Sequence, residues 1–117
     1  MNVLIADDEE SVLYTLKRVL VKIGCVVETA TNGLELVNLW KLSRQALVLS
    51  DVDMPGLSGI EACQEIKKLN PAVSIIILTG SSDSKDVALK ANLGPIVDKP
   101  FSISELTELV LAIKAKH

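Results

Sequence analysis

Short apolar runs alternate along this chain with longer segments in which apolar residues recur at helical spacing. The runs cover residues 3–6, 25–30, 46–50, 73–78 and 95–98. Continuous β-branched stretches such as residues 75–77 are typical of strands buried on both faces, which is the pattern of a parallel sheet. The hydrophobic pattern therefore predicts five strands in a largely parallel arrangement.

The segments between the runs predict helices. Clear apolar stripes at helical spacing cover residues 12–23, 60–69 and 103–113. Gly24 follows the first stripe where a helix commonly ends, and Ser102 with Glu105 opens the third in a capping-box arrangement. Weaker patterns predict two further helices near residues 33–42 and 84–92.

Strands that alternate with helices predict an α/β domain in which right-handed crossovers place helices on both faces of a doubly wound parallel sheet. No linker, repeat or low-complexity segment interrupts the pattern, so residues 1–117 are expected to form a single domain. In such sheets, ligands gather at the carboxyl ends of the strands, near the point where the strand order reverses. The functional site is therefore expected at the strand ends.

Composition narrows the class of protein. Apolar residues make up 49% of the chain and aromatic residues only 3%, so we expect a packed core built from Leu, Val, Ile and Ala. The net charge of −3 argues against direct binding of nucleic acid by this domain, because phosphate binding requires a basic surface. Cys25 and Cys63 lack metal-ligand spacing and are interpreted as buried thiols of a reducing compartment.

The sequence also lacks the features of a membrane or exported protein. Its apolar stretches are far shorter than the roughly twenty residues that a membrane-spanning helix requires. The first residues, MNVLIADDEE, become acidic within seven positions, unlike a signal peptide, which begins basic and then becomes apolar. We therefore expect a cytoplasmic protein with no membrane partner.

Chemistry-bearing residues fall at four of the five predicted strand ends. Asp7 and Asp8 follow the first strand, Asp51 the third, Thr79 the fourth and Lys99 the fifth. At an effective dielectric constant near 20, two carboxylates about 5 Å apart repel by roughly 3 kcal/mol, so a cluster of three requires compensation. Oxygen ligands without His or Cys favour a hard cation, and Mg²⁺ suits a few carboxylates with room for water. The set is typical of a phosphoryl-transfer site with Asp51 as the nucleophile.

Four segments together resemble the receiver domain of bacterial two-component response regulators. They are ADDE at residues 6–9, SDVDMPGLSG at 50–59, IIILTG at 75–80 and DKPF at 98–101, and the similarity covers essentially the whole chain. The resemblance implies a flavodoxin-like fold with the strand order 2-1-3-4-5, as in single-domain chemotaxis receivers. It further implies a stand-alone regulator or one part of a longer regulator, which acts on a downstream protein target or through an effector domain.

The resemblance also assigns roles to the residues at the strand ends. Asp51 would accept a phosphoryl group from a histidine kinase or phosphotransfer protein in a Mg²⁺-dependent reaction, and the only chemistry would be self-phosphorylation and autodephosphorylation. Asp7 and Asp8 would hold Mg²⁺ together with Asp51 and the backbone carbonyl of Asp53. Thr79 would donate a hydrogen bond to the phosphoryl group and Lys99 would pair with it, and the Lys99–Pro100 peptide would be cis.

One position departs from the family pattern. The family usually has an aromatic residue three positions before the lysine, where this chain has Ile96. A β-branched aliphatic side chain is stiff at χ1 and cannot reproduce the movement of a ring. We therefore expect the signal to leave the domain through residues 80–86, whose composition, GSSDSKD, predicts a mobile loop.

Two alternatives remain open from the sequence. The stretch VLSDVDM resembles the nucleophile motif of haloacid-dehalogenase-type phosphatases, with Asp51 as nucleophile and Asp53 as general acid. That family places its last acidic pair after the lysine, where this chain has PFSISEL, and the acidic pair here stands on the first strand instead. The second alternative is a degenerate receiver that no longer accepts phosphate.

Overall fold

A computed structural model describes residues 1–117 as a five-stranded sheet with five helices. The strands are β1 (Asn2–Ala6), β2 (Val26–Ala30), β3 (Leu47–Asp51), β4 (Ser74–Thr79) and β5 (Ile96–Asp98). The helices are α1 (Glu10–Lys22), α2 (Gly33–Ser43), α3 (Gly59–Leu69), α4 (Ser82–Ala91) and α5 (Ile103–Lys116). Every predicted element is present, and most boundaries agree within one or two residues.

All neighbouring strands pair in parallel, in the order β2-β1-β3-β4-β5. This order confirms the doubly wound, flavodoxin-like arrangement. The order reverses beside β1, because the chain first adds β2 on one side and then crosses to β3 on the other. The carboxyl ends of β1 and β3 therefore lie next to each other, and together they form the crevice in which such folds bind ligands.

The sheet is buried on both faces, as the continuous apolar runs predict. Along β1, Leu4 and Ala6 point into one hydrophobic cluster while Val3 and Ile5 point into the other. The first cluster contains buried side chains of α2, α3 and α4, and the second contains those of α1 and α5. Successive side chains of a strand point to opposite faces, so each strand contributes to both clusters.

Local sequence signals fix most helix ends. Gly24 has a φ of +89° just after α1, in the left-handed region that glycine tolerates best. The Ser102 side chain accepts a hydrogen bond from the backbone N–H of Glu105 at 3.3 Å and so caps α5. None of the five helices combines the length and apolar character needed to cross a membrane.

Residues 80–86 differ from expectation, since most of them belong to a helix. α4 begins at Ser82, and the Ser81 side chain caps it by accepting a hydrogen bond from the backbone N–H of Ser84. A run of Ser and Asp residues is equally typical of a mobile loop and of a helix N-terminus. Here the cap by Ser81 favours the helix. The predicted loop is therefore wrong for residues 82–86.

Both cysteines are free thiols in the interior, as predicted. Cys25 belongs to the cluster beneath α1 and α5, whereas Cys63 belongs to the cluster on the opposite face of the sheet. Burial raises the pKa of the Cys63 thiol to about 12, which keeps it protonated and unreactive. The two thiols are packing residues.

Candidate functional site

Three carboxylates converge at the carboxyl ends of β1 and β3. One carboxylate oxygen from each of Asp7, Asp8 and Asp51 can be chosen such that all three lie within 4.8 Å of one another. Asp7 is fully buried and Asp51 nearly so, whereas Asp8 is exposed to solvent. The backbone N–H of Asp7 donates a hydrogen bond to the carbonyl of Ala30 on β2, so the pairing of β1 with β2 continues up to the site. The acidic cluster predicted from the sequence therefore exists.

Lys99 supplies the positive charge of this site. Its Nζ atom lies 2.6 Å from an Asp7 carboxylate oxygen, 3.5 Å from Asp51 Oδ1 and 3.9 Å from Glu9 Oε1. Burial lowers the pKa of Lys99, but its hydrogen bond to Asp7 and the attraction of Asp51, Asp7 and Glu9 outweigh burial and raise it above the ordinary value. Lys99 is therefore a permanent cation between two of the carboxylates.

The protonation of Asp51 is the most strongly perturbed in the site. Burial, together with the negative charges of Asp7 and Asp8, raises its pKa from 3.8 to about 6. Lys99 opposes these effects by attraction and by a hydrogen bond. A carboxylate that is poorly solvated yet charged above pH 6 is a more reactive nucleophile than one in water.

Gly59 allows α3 to begin against the end of β3. A Cβ atom at this position would lie 1.7 Å from the carbonyl oxygen of Asp51 and 2.6 Å from the Ser50 hydroxyl. No side chain fits there unless the helix moves away from the strand. The contact between α3 and β3 therefore fixes the backbone of Asp51.

Thr79 ends β4, at the predicted position, but its hydroxyl is engaged by another residue. The hydroxyl donates a hydrogen bond of 2.9 Å to Asp98 Oδ1, and Lys85 Nζ lies 3.1 Å from the other oxygen of Asp98. The hydrogen bond from Thr79 is the main reason that the pKa of Asp98 lies below its ordinary value, and the hydrogen bond from Lys85 adds to it. Asp98 and Lys85 are thus neighbours of the site, although the sequence pattern assigned neither of them a role.

Besides Asp98, a second carboxylate, that of Asp53, contacts α4. The side chain of Asp53 accepts a short hydrogen bond from the Ser84 hydroxyl, which in turn accepts one from the Ser81 hydroxyl at 2.9 Å. The segment after β3 is thereby connected to the first turn of α4. The motif containing Asp53 was identified from the sequence, whereas Ser84 carried no signal there.

One smaller expectation near the site is also met. The Lys99–Pro100 peptide is cis. Gly56 in the Met-Pro-Gly turn has a φ of +73°, which agrees with a turn, and Met54 lies in the hydrophobic core. Ile96, at the position that the family usually gives to an aromatic residue, is half-buried against the cluster that contains α4.

The donor set fits a hard divalent cation. The three convergent ligand groups are carboxylates, and no cysteine or histidine belongs to the cluster. Oxygen ligands of this kind are typical of Mg²⁺, Ca²⁺ or Mn²⁺ sites, and a small number of carboxylates on a partly open surface suits Mg²⁺. The residues present are therefore compatible with the predicted metal.

Comparison with known families gives one match that spans nearly the whole chain. The family model described as "Response regulator receiver domain" matches residues 3–111. This range includes β1 from Val3 onward, the other four strands in full, and every residue of the acidic cluster, Thr79 and Lys99.

Curated relatives point in the same direction. A probable transcriptional regulator, ycf27, of Guillardia theta is 41% identical over 96% of this chain, which covers 44% of that protein. The alkaline phosphatase synthesis transcriptional regulatory protein PhoP of Bacillus subtilis is 34% identical over 96% of this chain and 48% of its own length. The DNA-binding transcriptional regulator NtrC of Escherichia coli is also 34% identical, over 91% of this chain and 23% of its own. The chain thus spans between about a quarter and a half of these relatives.

Solved structures agree with the fold. A response regulator receiver domain protein from Clostridium thermocellum superposes with a TM-score of 0.88 at 29% identity, covering 98% of this chain and 94% of that one. A putative response regulator from Chloroflexus aurantiacus gives a TM-score of 0.89 at 29% identity, covering 97% of each chain.

Proposed function

This chain belongs to the family of response regulator receiver domains, and on that premise we propose that it is a phosphorylation-controlled signalling module with Asp51 as phosphoacceptor. The observation that carries the proposal is the position of Asp51, nearly buried at the end of β3 between two acidic residues and 3.5 Å from the Lys99 ammonium. The donor would be the phosphorylated imidazole of a histidine kinase or phosphotransfer protein.

The proposed step is a single phosphoryl transfer. An oxygen of Asp51 attacks the phosphorus atom, and a P–O bond forms as the P–N bond to the donor imidazole breaks. The imidazole carries a proton on its other ring nitrogen and so leaves as a neutral base. Above pH 6 the carboxylate is largely ionised and ready to attack. Lys99 is placed to pair with a phosphoryl oxygen, because its ammonium already lies between Asp7 and Asp51.

Asp7, Asp8, Asp51 and the backbone carbonyl of Asp53 are proposed to hold Mg²⁺. When bound, a divalent cation offsets the negative charge of the carboxylates and of the incoming phosphoryl group. The protein itself contributes the buried nucleophile and the fixed ammonium. Thr79 contributes a hydroxyl at the end of the adjacent strand, which we propose donates to the phosphoryl group once it is in place.

We propose that this reaction labels the domain and that the domain does not turn over substrates as an enzyme. The label would then alter contacts with a downstream protein or an effector domain, and the cytoplasm is the expected location. Among the two alternatives, the phosphatase has no support from the family match, since the match is to receiver domains. The degenerate receiver retains all the same residues and differs only in reactivity.

Incubation with acetyl phosphate separates these three functions. We expect intact mass spectrometry to show the addition of one phosphoryl group per chain with Mg²⁺ present, none with EDTA, and none for Asp51→Asn. A receiver consumes the donor only at the slow rate at which its own phosphoryl group hydrolyses. Rapid, continuous release of phosphate without a labelled chain would support a phosphatase, and the absence of any reaction would support a degenerate receiver.

A further inference from the structure

Thr79 has one hydroxyl proton, and in this structure that proton is already used. The hydroxyl donates to Asp98 Oδ1 at 2.9 Å. A threonine hydroxyl can donate only one hydrogen bond at a time, although it can accept more. Donation to a phosphoryl oxygen on Asp51 therefore requires the bond to Asp98 to break first.

The backbone keeps Thr79 and Asp98 side by side. They are register partners in the parallel pairing of β4 with β5, and the N–H of Lys99 donates to the carbonyl of Thr79 at 2.7 Å. The hydroxyl can therefore exchange acceptors by side-chain rotation alone, without separation of the strands. Rotation about χ1 is a small movement compared with a change in strand pairing.

Asp98 would remain satisfied after such an exchange. Its second oxygen lies 3.1 Å from Lys85 Nζ on α4, and its side chain is 62% exposed to solvent. Water and Lys85 can thus replace the hydrogen bond from Thr79 at modest cost. The exchange is consequently close to balanced, and small changes at Asp98 should shift it.

We propose that Asp98 is a positioning residue that competes with the phosphoryl group for the hydroxyl of Thr79. This inference rests on the proposed function, because it concerns how readily the phosphorylated state of Asp51 forms. Asp98 lowers the affinity of the site for a phosphoryl group by offering Thr79 an alternative charged acceptor. Removal of this acceptor leaves the hydroxyl free for the phosphoryl oxygen.

A purely structural role for Asp98 makes a different prediction. Asp98 also connects β5 to α4 through Lys85. If that connection were the whole role, loss of either partner would have the same effect. Lys85→Gln breaks the ion pair but leaves the hydrogen bond between Thr79 and Asp98 in place, so it is the matched control for Asp98→Ala.

The test measures the affinity for beryllofluoride, a noncovalent phosphoryl mimic, in the full chain with Mg²⁺ by NMR titration. We expect Asp98→Ala to bind the mimic about three- to tenfold more tightly than the wild type, which corresponds to one net hydrogen bond. Lys85→Gln should remain within about twofold of the wild type, and Asp98→Asn, which keeps a weaker neutral acceptor, should fall between the two.

A second readout reports on Thr79 directly. In the absence of the mimic, the methyl resonance of Thr79 should shift in Asp98→Ala and stay near its wild-type position in Lys85→Gln. Equal affinities in all variants, or an equal gain in Lys85→Gln, would overturn the role of Asp98 while leaving the phosphoacceptor proposal intact. Absence of binding in the wild type and every variant would overturn both. Thermal denaturation checks that each variant is folded.

Discussion

At the scale of single residues, burial and charge act on Asp51 in opposite directions. Burial and the neighbouring carboxylates raise its pKa to about 6, while Lys99 lowers it. The ionised form is therefore less favourable in the folded protein than in the unfolded chain, where the pKa is near 3.8. Ionisation of Asp51 therefore destabilises the fold, and a bound cation can offset this cost.

This perturbation makes stability depend on pH. Because the folded protein binds the Asp51 proton more tightly, the stabilising contribution of that proton is complete below pH 3.8 and is lost as the pH rises through about 6. In EDTA at pH 7.5, Asp51→Asn should therefore have a free energy of unfolding higher than the wild type by about 2 kcal/mol. The difference should shrink toward zero near pH 4. Thermal denaturation of both proteins across this range measures it, and a difference independent of pH would contradict the account.

Asp8 offers a separate test of the cation site. It is the exposed member of the acidic cluster, so its removal should leave the fold intact. Asp8→Ala should weaken Mg²⁺ binding at least tenfold and, by removing a like charge, should not lower the melting temperature in EDTA. Mg²⁺ should stabilise the wild type according to RT ln(1 + [L]/Kd) and stabilise Asp8→Ala much less. Equal stabilisation of the two proteins by Mg²⁺ would exclude Asp8 as a ligand.

At the scale of elements, the start of α3 and the start of α4 border Asp51 by different means. α3 contacts β3 so closely that only a glycine fits at position 59, beside the carbonyl of Asp51. α4 is connected through side chains, from Ser84 to Asp53 and from Lys85 to Asp98. The contact of α3 with β3 is therefore rigid packing, whereas the contacts of α4 are polar and can exchange partners.

The rigid boundary predicts a large effect of a single methyl group. Gly59→Ala should destabilise the protein by about 2 kcal/mol or more, because overpacking outweighs the gain in helix propensity. It should also slow phosphorylation of Asp51 by displacing its backbone. Gly80→Ala is the matched control, since a Cβ there meets no atom within 4 Å, and it should change stability by less than about 0.5 kcal/mol. Chemical denaturation of both variants gives the comparison, and similar effects would refute the packing argument.

The elements and the charged centre of the site were predictable from the sequence for physical reasons. Period and β-branching distinguish buried parallel strands from helices, and the carboxyl ends of such strands share one edge of the sheet. Because Asp7, Asp8 and Asp51 follow two of these strands, their convergence could be predicted from the sequence. For the start of α4, the sequence predicted both a helix near residues 84–92 and a mobile loop at 80–86, because Ser and Asp favour both loops and helix caps.

The polar contacts around Thr79 could not be predicted from the sequence. The site assignment needs only the order of the strands, whereas the contact of Thr79 with Asp98 depends on the register of β4 with β5 and on side-chain rotamers. Asp98 opens the DKPF segment, but only the register of β4 with β5 shows that it lies beside Thr79. The link from Ser84 to Asp53 likewise depends on where α4 begins.

At the scale of the whole molecule, the residues that stabilise the fold and the residues of the candidate site lie in different places. Two hydrophobic clusters cover the faces of the sheet, while the acidic cluster and Lys99 lie at the carboxyl ends of its strands. Because the order reverses beside β1, the acidic residues after β1 and β3 meet without any long loop. The apolar core stabilises the domain, and this stability offsets the electrostatic repulsion among the clustered carboxylates.

The central claim is that Asp51 is the one residue that receives the phosphoryl group. Its most direct test is reduction of the acetyl phosphate-treated protein with borohydride, which converts an aspartyl phosphate to homoserine, followed by peptide mass mapping. The account predicts homoserine at position 51 alone, only when Mg²⁺ was present, and none at any position in Asp51→Asn. Homoserine at Asp7, Asp8 or Asp53 of the wild type, or an unmodified residue 51 in a labelled chain, would contradict it.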